Sequence, residues 1–194
     1  VWTTSSYPVT LEAHQVEVAG RAESLASRIG LGPDVTELLR EAGLHHDDGK
    51  EDSRFQRIRL GSPEGMVLAK SWSGSAQEAA RRQWRGGLPR GWRHELRSVA
   101  VAWPDITKSS DPELAARLIG TTHGHGRVLP QQSASSLINP SDDAAIRERI
   151  LDLFVSGEWC ALMERTSRRV GPWACCYLEA VLRAADCQIS KEGS

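Results

Sequence analysis

Six histidines, at positions 14, 45, 46, 94, 123 and 125, fall into only four local motifs, and several lie where the apolar spacing points inward. Burying an imidazole without a partner is costly, so each buried histidine needs a hydrogen bond or a ligand. A lone histidine on an apolar helix face is ordinarily a satisfied core residue. Several at once require several independent partners, whereas a shared metal ion satisfies them together. The pattern predicts one buried metal site where helices meet.

The periodicity predicts those helices. Residues 11–29 place His14, Val18, Ala22, Leu25 and Ile29 at steps of three and four, one face of a helix that Gly30 stops. Asp34 is expected to cap a second helix, with Val35, Leu38, Leu39, Ala42 and His46 inward and its end at Gly49. Residues 60–92, rich in Gly, Ser, Arg and Trp, read as a long loop or broken helices near the active face. A short helix is expected over 94–102. Another starts at Asp111-Pro112, by the N-cap and N1 preferences, and runs into Thr121 to Arg127. The Ser-, Pro- and Gln-rich stretch 128–140 reads as a surface loop. Ser141 is expected to cap a long helix reaching residue 169, with Gly157 as its point of interruption. A last helix over 173–188 follows the break at Gly171-Pro172. There is no internal repeat and no convincing strand alternation, so the expected class is all-α, a helical bundle with the metal site in its core.

Length and charge bound the function. The 194 residues suffice for one domain with a substantial core, and residues 1–194 are read as that domain. The chain begins Val1-Trp2 without a methionine, so it is expected to be a piece of a longer protein. A formal net charge of -1 provides no global basic field for nucleic acid, although bound metal ions can supply positive charge locally. No apolar run approaches the roughly 20 residues of a membrane span, and no signal-peptide pattern is present, so no membrane partner is expected. Cys160, Cys175, Cys176 and Cys187 lack paired zinc-ligand spacing. They read as reduced, mostly core residues, which implies a cytoplasmic location.

The strongest motif is His46-Asp47 followed by Gly49-Lys50. Adjacent His and Asp at a helix end can project an imidazole nitrogen and a carboxylate toward the same ion, and the carboxylate can bridge two. Gly49 lets the backbone pass close to the site. Lys50 can reach a phosphate oxygen or stabilise a leaving group; a solvated or helix-capping lysine is the plainer alternative.

The run Ala42 to Lys50, with Phe55-Gln56 downstream, resembles the signature of HD-superfamily metal-dependent phosphohydrolases. More narrowly it resembles the HD nuclease domain of the CRISPR-associated nuclease-helicase of type I interference systems. The likeness extends from about residue 9 to 190. It assigns metal ligands to His14, to His46 and Asp47, to His94 in Arg93-His94-Glu95 with Ser98 after it, to His123, and to Asp186 in Leu182-Arg183-Ala184-Ala185-Asp186. Thr122 stands where that family has the first histidine of a His-His pair, and a threonine hydroxyl is a poor transition-metal ligand. The resemblance therefore implies a main site of His14, His46, Asp47 and Asp186, and an incomplete second site of His94 and His123 around the Asp47 bridge. His45 and His125 have no ligand role in it and read as supporting or surface residues.

Imidazole and carboxylate ligands suit manganese, iron, cobalt or nickel, as one or two ions. Such an ion makes water a usable nucleophile and neutralises phosphate charge, so Asp47 and Lys50 are the candidate catalytic residues and phosphodiester hydrolysis the expected reaction. The chain has no GxxxxGK[ST] motif, so it is not the helicase motor itself. Arg127, two residues beyond His125, is the candidate phosphate contact. Arg81, Arg82, Arg85, Arg90 and Arg93, with Trp84 and Trp92 between them, are a second candidate surface for unpaired bases, or a loop anchored by its tryptophans. The resemblance implies single-stranded DNA as substrate, a CRISPR helicase domain and the RNA-guided surveillance complex as partners. Two other readings stand beside it: an HD hydrolase of nucleotides or cyclic nucleotides, and a catalytically weakened domain kept for docking.

Overall fold

The computed structural model describes residues 7–70, 88, 92–124, 128–130 and 133–192. Among these the protein is mostly helical, with no strand beyond one isolated antiparallel bridge between Thr10 and Leu68. The all-α expectation holds. None of the described helices is long and apolar enough to cross a membrane.

Helix α1 (Leu11–Arg28) starts on Thr10, whose hydroxyl accepts the amide of Ala13 at 3.3 Å. Its buried face is Leu11, His14, Gln15, Val18, Ala19, Ala22 and Ala26. Leu25 is only half-buried and Ile29 is exposed, because the inward line continues in four-residue steps through Ala26. Helix α2 (Pro33–His45) is capped by Gly32, not by the expected Asp34. Pro33 tolerates the first turn, where its missing N–H costs nothing, and its fixed φ starts the helix one residue earlier. This helix also stops sooner than expected, at His45. His46 is its C-cap, and the chain tightens into a 3₁₀ turn over Asp48–Glu51. A side chain at Gly43 would begin 2.8 Å from the Ala19 Cα, so α1 and α2 meet backbone to backbone there.

Phe55–Leu60 forms a π-helical turn, a rare geometry that is frequent near functional sites. Helices α3 (His94–Val101) and α4 (Trp103–Ile106) follow. Asp111 caps α5 (Pro112–Thr121), accepting the Leu114 amide at 3.1 Å as its spacing predicts. The stretch read as loop contains one short helix, α6 (Ala134–Leu137). Asp143, not Ser141, caps α7 (Ala144–Phe154), and Gly157 at φ 87° separates it from α8 (Glu158–Val170). Helix α9 spans Pro172–Glu192.

Helix α1 packs against both α2 and α9, and α3 packs against the 3₁₀ turn and α5. Val18, Leu39, Val99, Leu118, Trp159 and Leu182 are fully buried in one shared core. Arg117, itself buried, joins three helices: Nε donates to Glu179 at 2.8 Å, and Nη1 donates to Thr166 Oγ1 at 3.0 Å. No disulfide is present, but the expectation of mostly core cysteines fails. Cys175 alone is buried, Cys160 is half-buried, and Cys176 and Cys187 are exposed. Adjacent helical residues point about 100° apart, so Cys175 and Cys176 cannot share a face.

Candidate metal centre

Five separate segments bring their polar residues to one place. Helix α1 carries His14, the end of α2 carries His46 and Asp47, α3 opens on His94, the turn after α5 carries His123, and α9 carries Asp186. The six side chains form two groups. His14, His46 and Asp186 bring ligand atoms within 4.8 Å of one another, and so do Asp47, His94 and His123. Asp47 belongs to both in effect. Its Oδ2 lies 3.6 Å from His14 Nε2 and 3.4 Å from His46 Nε2, while its Oδ1 lies 2.9 Å from His94 Nε2 and 3.7 Å from His123 Nε2. Asp186 faces the same way, with Oδ1 at 3.2 Å from His14 Nε2 and Oδ2 at 3.9 Å from His123 Nδ1.

These separations fit ions. Two ligands each about 2.1 Å from a metal, at tetrahedral or octahedral angles, stand roughly 3.0–3.4 Å apart. The chemistry of the donor set agrees with this, and so do its loose ends. His46 Nε2 and Asp47 Oδ1 are buried with no hydrogen-bond partner of their own. His14, His46 and Asp47 are 1%, 0% and 0% exposed, so water does not satisfy these atoms. The described residues therefore hold two adjacent, buried His/Asp clusters suited to metal ions.

The surroundings fix the ligands. His46 donates Nδ1–H to the Gly43 carbonyl at 2.7 Å, so Nε2 is the nitrogen that faces the cluster. Ser190 donates to Asp186 Oδ1 at 3.2 Å. Ser98 Oγ accepts the Gly49 amide at 2.8 Å and lies 2.9 Å from the His46 carbonyl, so it pins the His-Asp turn to α3. A Cβ on Gly49 would lie 2.1 Å from the His94 carbonyl oxygen, so only glycine permits this contact. The Phe55 ring rests against His94 at 5.6 Å between centroids, and Gln56 bonds the Lys50 and Leu68 carbonyls and the Leu68 amide.

Burial would raise the Asp47 carboxyl, but the charges of His46 and Lys50 outweigh it and hold Asp47 well below the usual range. Burial likewise acts upward on Asp186, and the His14 hydrogen bond and His46 charge overcome it, so it too is depressed. Both carboxylates are thus kept in the anionic form that a metal requires. Burial lowers His94 below its ordinary value, whereas at His46 burial acts downward and the Asp47 charge reverses it.

All six residues read as ligands lie in the centre. Lys50 lies there too, buried and turned inward, with Nζ 2.5 Å from Asp47 Oδ2 and 3.3 Å from the Ala69 carbonyl; it is neither solvated nor capping a helix. Thr122 is buried and spends its hydroxyl on its own helix, on the carbonyls of Leu118 and Ile119 at 2.8 and 3.0 Å. His45 stays outside the clusters, with Nδ1 2.8 Å from Asp48, whose other oxygen accepts from Gln15. Trp92 is buried, donates to the Ser136 carbonyl and lies tilted against Phe55 at 5.4 Å between ring centroids, so it anchors the core instead of offering a face to bases. His125 and Arg127 lie outside the described residues, as do Arg81, Arg82, Trp84, Arg85 and Arg90. Sequence reasoning missed Arg183. It is exposed one turn before Asp186 on α9, with Nη1 2.9 Å from where a Gly124 side chain would begin, beside His123. Its three-residue spacing from Asp186 was the available signal.

Fold and site together define an all-helical protein with a paired His/Asp centre that can take metal ions. Comparison with protein-family models, with curated proteins and with solved structures finds no match to this chain.

Proposed function

We propose that this chain is a metal-dependent nuclease domain of the HD type, cleaving phosphodiester bonds of single-stranded DNA alongside a helicase in CRISPR type I interference. One observation carries the reading. Asp47 presents one oxygen to His14 and His46 and the other to His94 and His123, as a carboxylate bridging two ions does.

His14, His46, Asp47 and Asp186 would hold one divalent transition-metal ion, and Asp47, His94 and His123 a second. When bound, such ions supply Lewis acidity, which neutralises phosphate charge and makes water a nucleophile near neutral pH. The protein's own groups do the rest. Asp47 and Asp186 fix the position of positive charge, and the Gly43 carbonyl keeps His46 in its ligating tautomer. Lys50 holds Asp47 in place from inside. His123 is the most open member, with a side chain 28% exposed, so substrate reaches the centre from its side. Arg183 stands on that side and meets a phosphate oxygen of the strand.

The test is incubation of the purified chain with circular single-stranded DNA, cyclic nucleotides and deoxynucleotides, with manganese, nickel or chelator. Metal-dependent cutting of the circle, lost in Asp47→Ala, is expected. Nucleotide turnover without DNA cutting would overturn the substrate assignment, and a metal-loaded chain that turns over nothing would favour a docking role.

A further inference from the structure

Glu95 follows His94 on α3 and is 1% exposed, yet neither carboxylate oxygen has a hydrogen-bond partner. A buried carboxylate normally accepts several hydrogen bonds or pairs with a cation, because its lost hydration is expensive. One nitrogen of the metal centre faces it: His94 Nδ1 lies 3.7 Å from Oε2. That is beyond a hydrogen bond but within reach of a small rotation of either side chain.

His94 has a need that Glu95 can meet. Its Nε2 faces Asp47 Oδ1 and His123 Nε2, both at 2.9 Å. For Nε2 to offer a lone pair to an ion, the proton must sit on Nδ1 and have an acceptor there. In the neighbouring cluster His46 meets this need with the Gly43 carbonyl. His94 makes no such backbone bond among the described residues, and Glu95 is the acceptor placed on that side. Phe55 packs on the same ring and limits its other orientations.

We infer that Glu95 is a positioning residue of the metal centre: its carboxylate takes the Nδ1–H of His94 and so aims Nε2 at an ion shared with Asp47 and His123. The inference rests on the metal reading above. Ligating histidines commonly have such a carboxylate behind them, and its loss weakens metal binding about 10–100-fold.

The experiment compares the whole chain with Glu95→Leu and Glu95→Gln by two measurements. Long-range nitrogen–proton NMR of the metal-free proteins reports the His94 tautomer. Calorimetric titration with manganese or nickel reports the affinity of each ion. Wild type is expected to hold the Nδ1–H tautomer. Glu95→Leu should lose it and bind the ion at His94 about 10–100-fold more weakly, with the ion at His14 unaffected. Glu95→Gln, whose amide oxygen still accepts, should recover the tautomer and most of the affinity. A Leu variant with wild-type tautomer and affinities, or Leu and Gln variants that behave alike, would overturn the inference. If the wild type takes up no ion, the metal reading fails by itself, and the NMR measurement still decides whether Glu95 holds His94.

Discussion

His94 and His123 face one another through their Nε2 atoms at 2.9 Å, with their rings nearly edge to face. A single proton fits between two such nitrogens. Two lone pairs converging there instead suit a shared cation. Removing either ring should therefore strip the ion of this cluster and spare the one held by His14, His46 and Asp186. Metal analysis after exhaustive dialysis is expected to give one ion fewer in His94→Ala and in His123→Ala than in wild type. Stoichiometry that is unchanged, or that falls to zero in both, would show that the two clusters do not load separately.

Lys50 and Asp47 form a buried pair at 2.5 Å. Deleting one member of such a pair leaves the other charge uncompensated, at about 3–5 kcal/mol. Lys50→Met should thus destabilise the metal-free chain by roughly 3 kcal/mol. A divalent ion beside Asp47 substitutes for the lost ammonium, so saturating manganese should narrow the gap between variant and wild type. Thermal unfolding of both proteins with chelator and with metal measures this. An equal gap in the two conditions would mean that Lys50 acts through packing alone.

Why these residues were legible while others were not is a matter of what each position depends on. His14 and His46 could be placed on inner helix faces by spacing, whereas His94, His123 and Asp186 were picked out as ligands by the family resemblance. Asp47 could be read as a bridge, but the division of its two oxygens between clusters depends on side-chain torsions. Lys50 turned inward because Asp47 lies within its reach, a contact three residues apart but folded through a 3₁₀ turn that spacing does not announce. The caps at Gly32 and Asp143 were missed for a related reason. Pro33 fixes the backbone before Asp34 can act, and Ser141 is taken up by Asn139, to which both its amide and its hydroxyl donate. Glu95 drew no role from the sequence beyond its place after His94, because its burial follows from α3 being enclosed nearly all round.

Asp142 carries a pH prediction away from the centre. It accepts from Arg97 Nη1 at 2.7 Å and from the Asn139 amide at 2.7 Å. Burial acts to raise its carboxyl, but the Arg97 bond and the Asn139 amide outweigh it, so it lies below its ordinary 3.8. A carboxyl depressed in the folded state stabilises the fold above its unfolded value and loses that contribution as pH falls through the folded one. Asp142→Asn is expected to cost about 2 kcal/mol at neutral pH, with the difference from wild type shrinking below about pH 3.8. Urea midpoints of both proteins at pH 7, 4 and 3 test it. A difference that stays constant down to pH 3 would show that the ionised carboxylate is not what Arg97 holds.

Two glycines of similar appearance in the sequence should respond in opposite ways to alanine. At Gly20, exposed in the middle of α1, an added Cβ meets nothing within 4 Å. Alanine there removes backbone freedom from the unfolded chain and favours helix, so Gly20→Ala should stabilise by about 0.5–1 kcal/mol. At Gly49 the added carbon would meet the carbonyl of His94 and the amide nitrogen of Ser98, both backbone atoms that cannot step aside. The His-Asp turn would have to move off α3, so Gly49→Ala should destabilise by about 3 kcal/mol or more. It should also weaken uptake of the ion at His94, because that residue's own peptide is the obstacle. Chemical unfolding and metal titration of the two variants side by side check both signs. A Gly49→Ala protein as stable as wild type, with both ions bound, would mean that the turn is not held against α3 as closely as this packing requires.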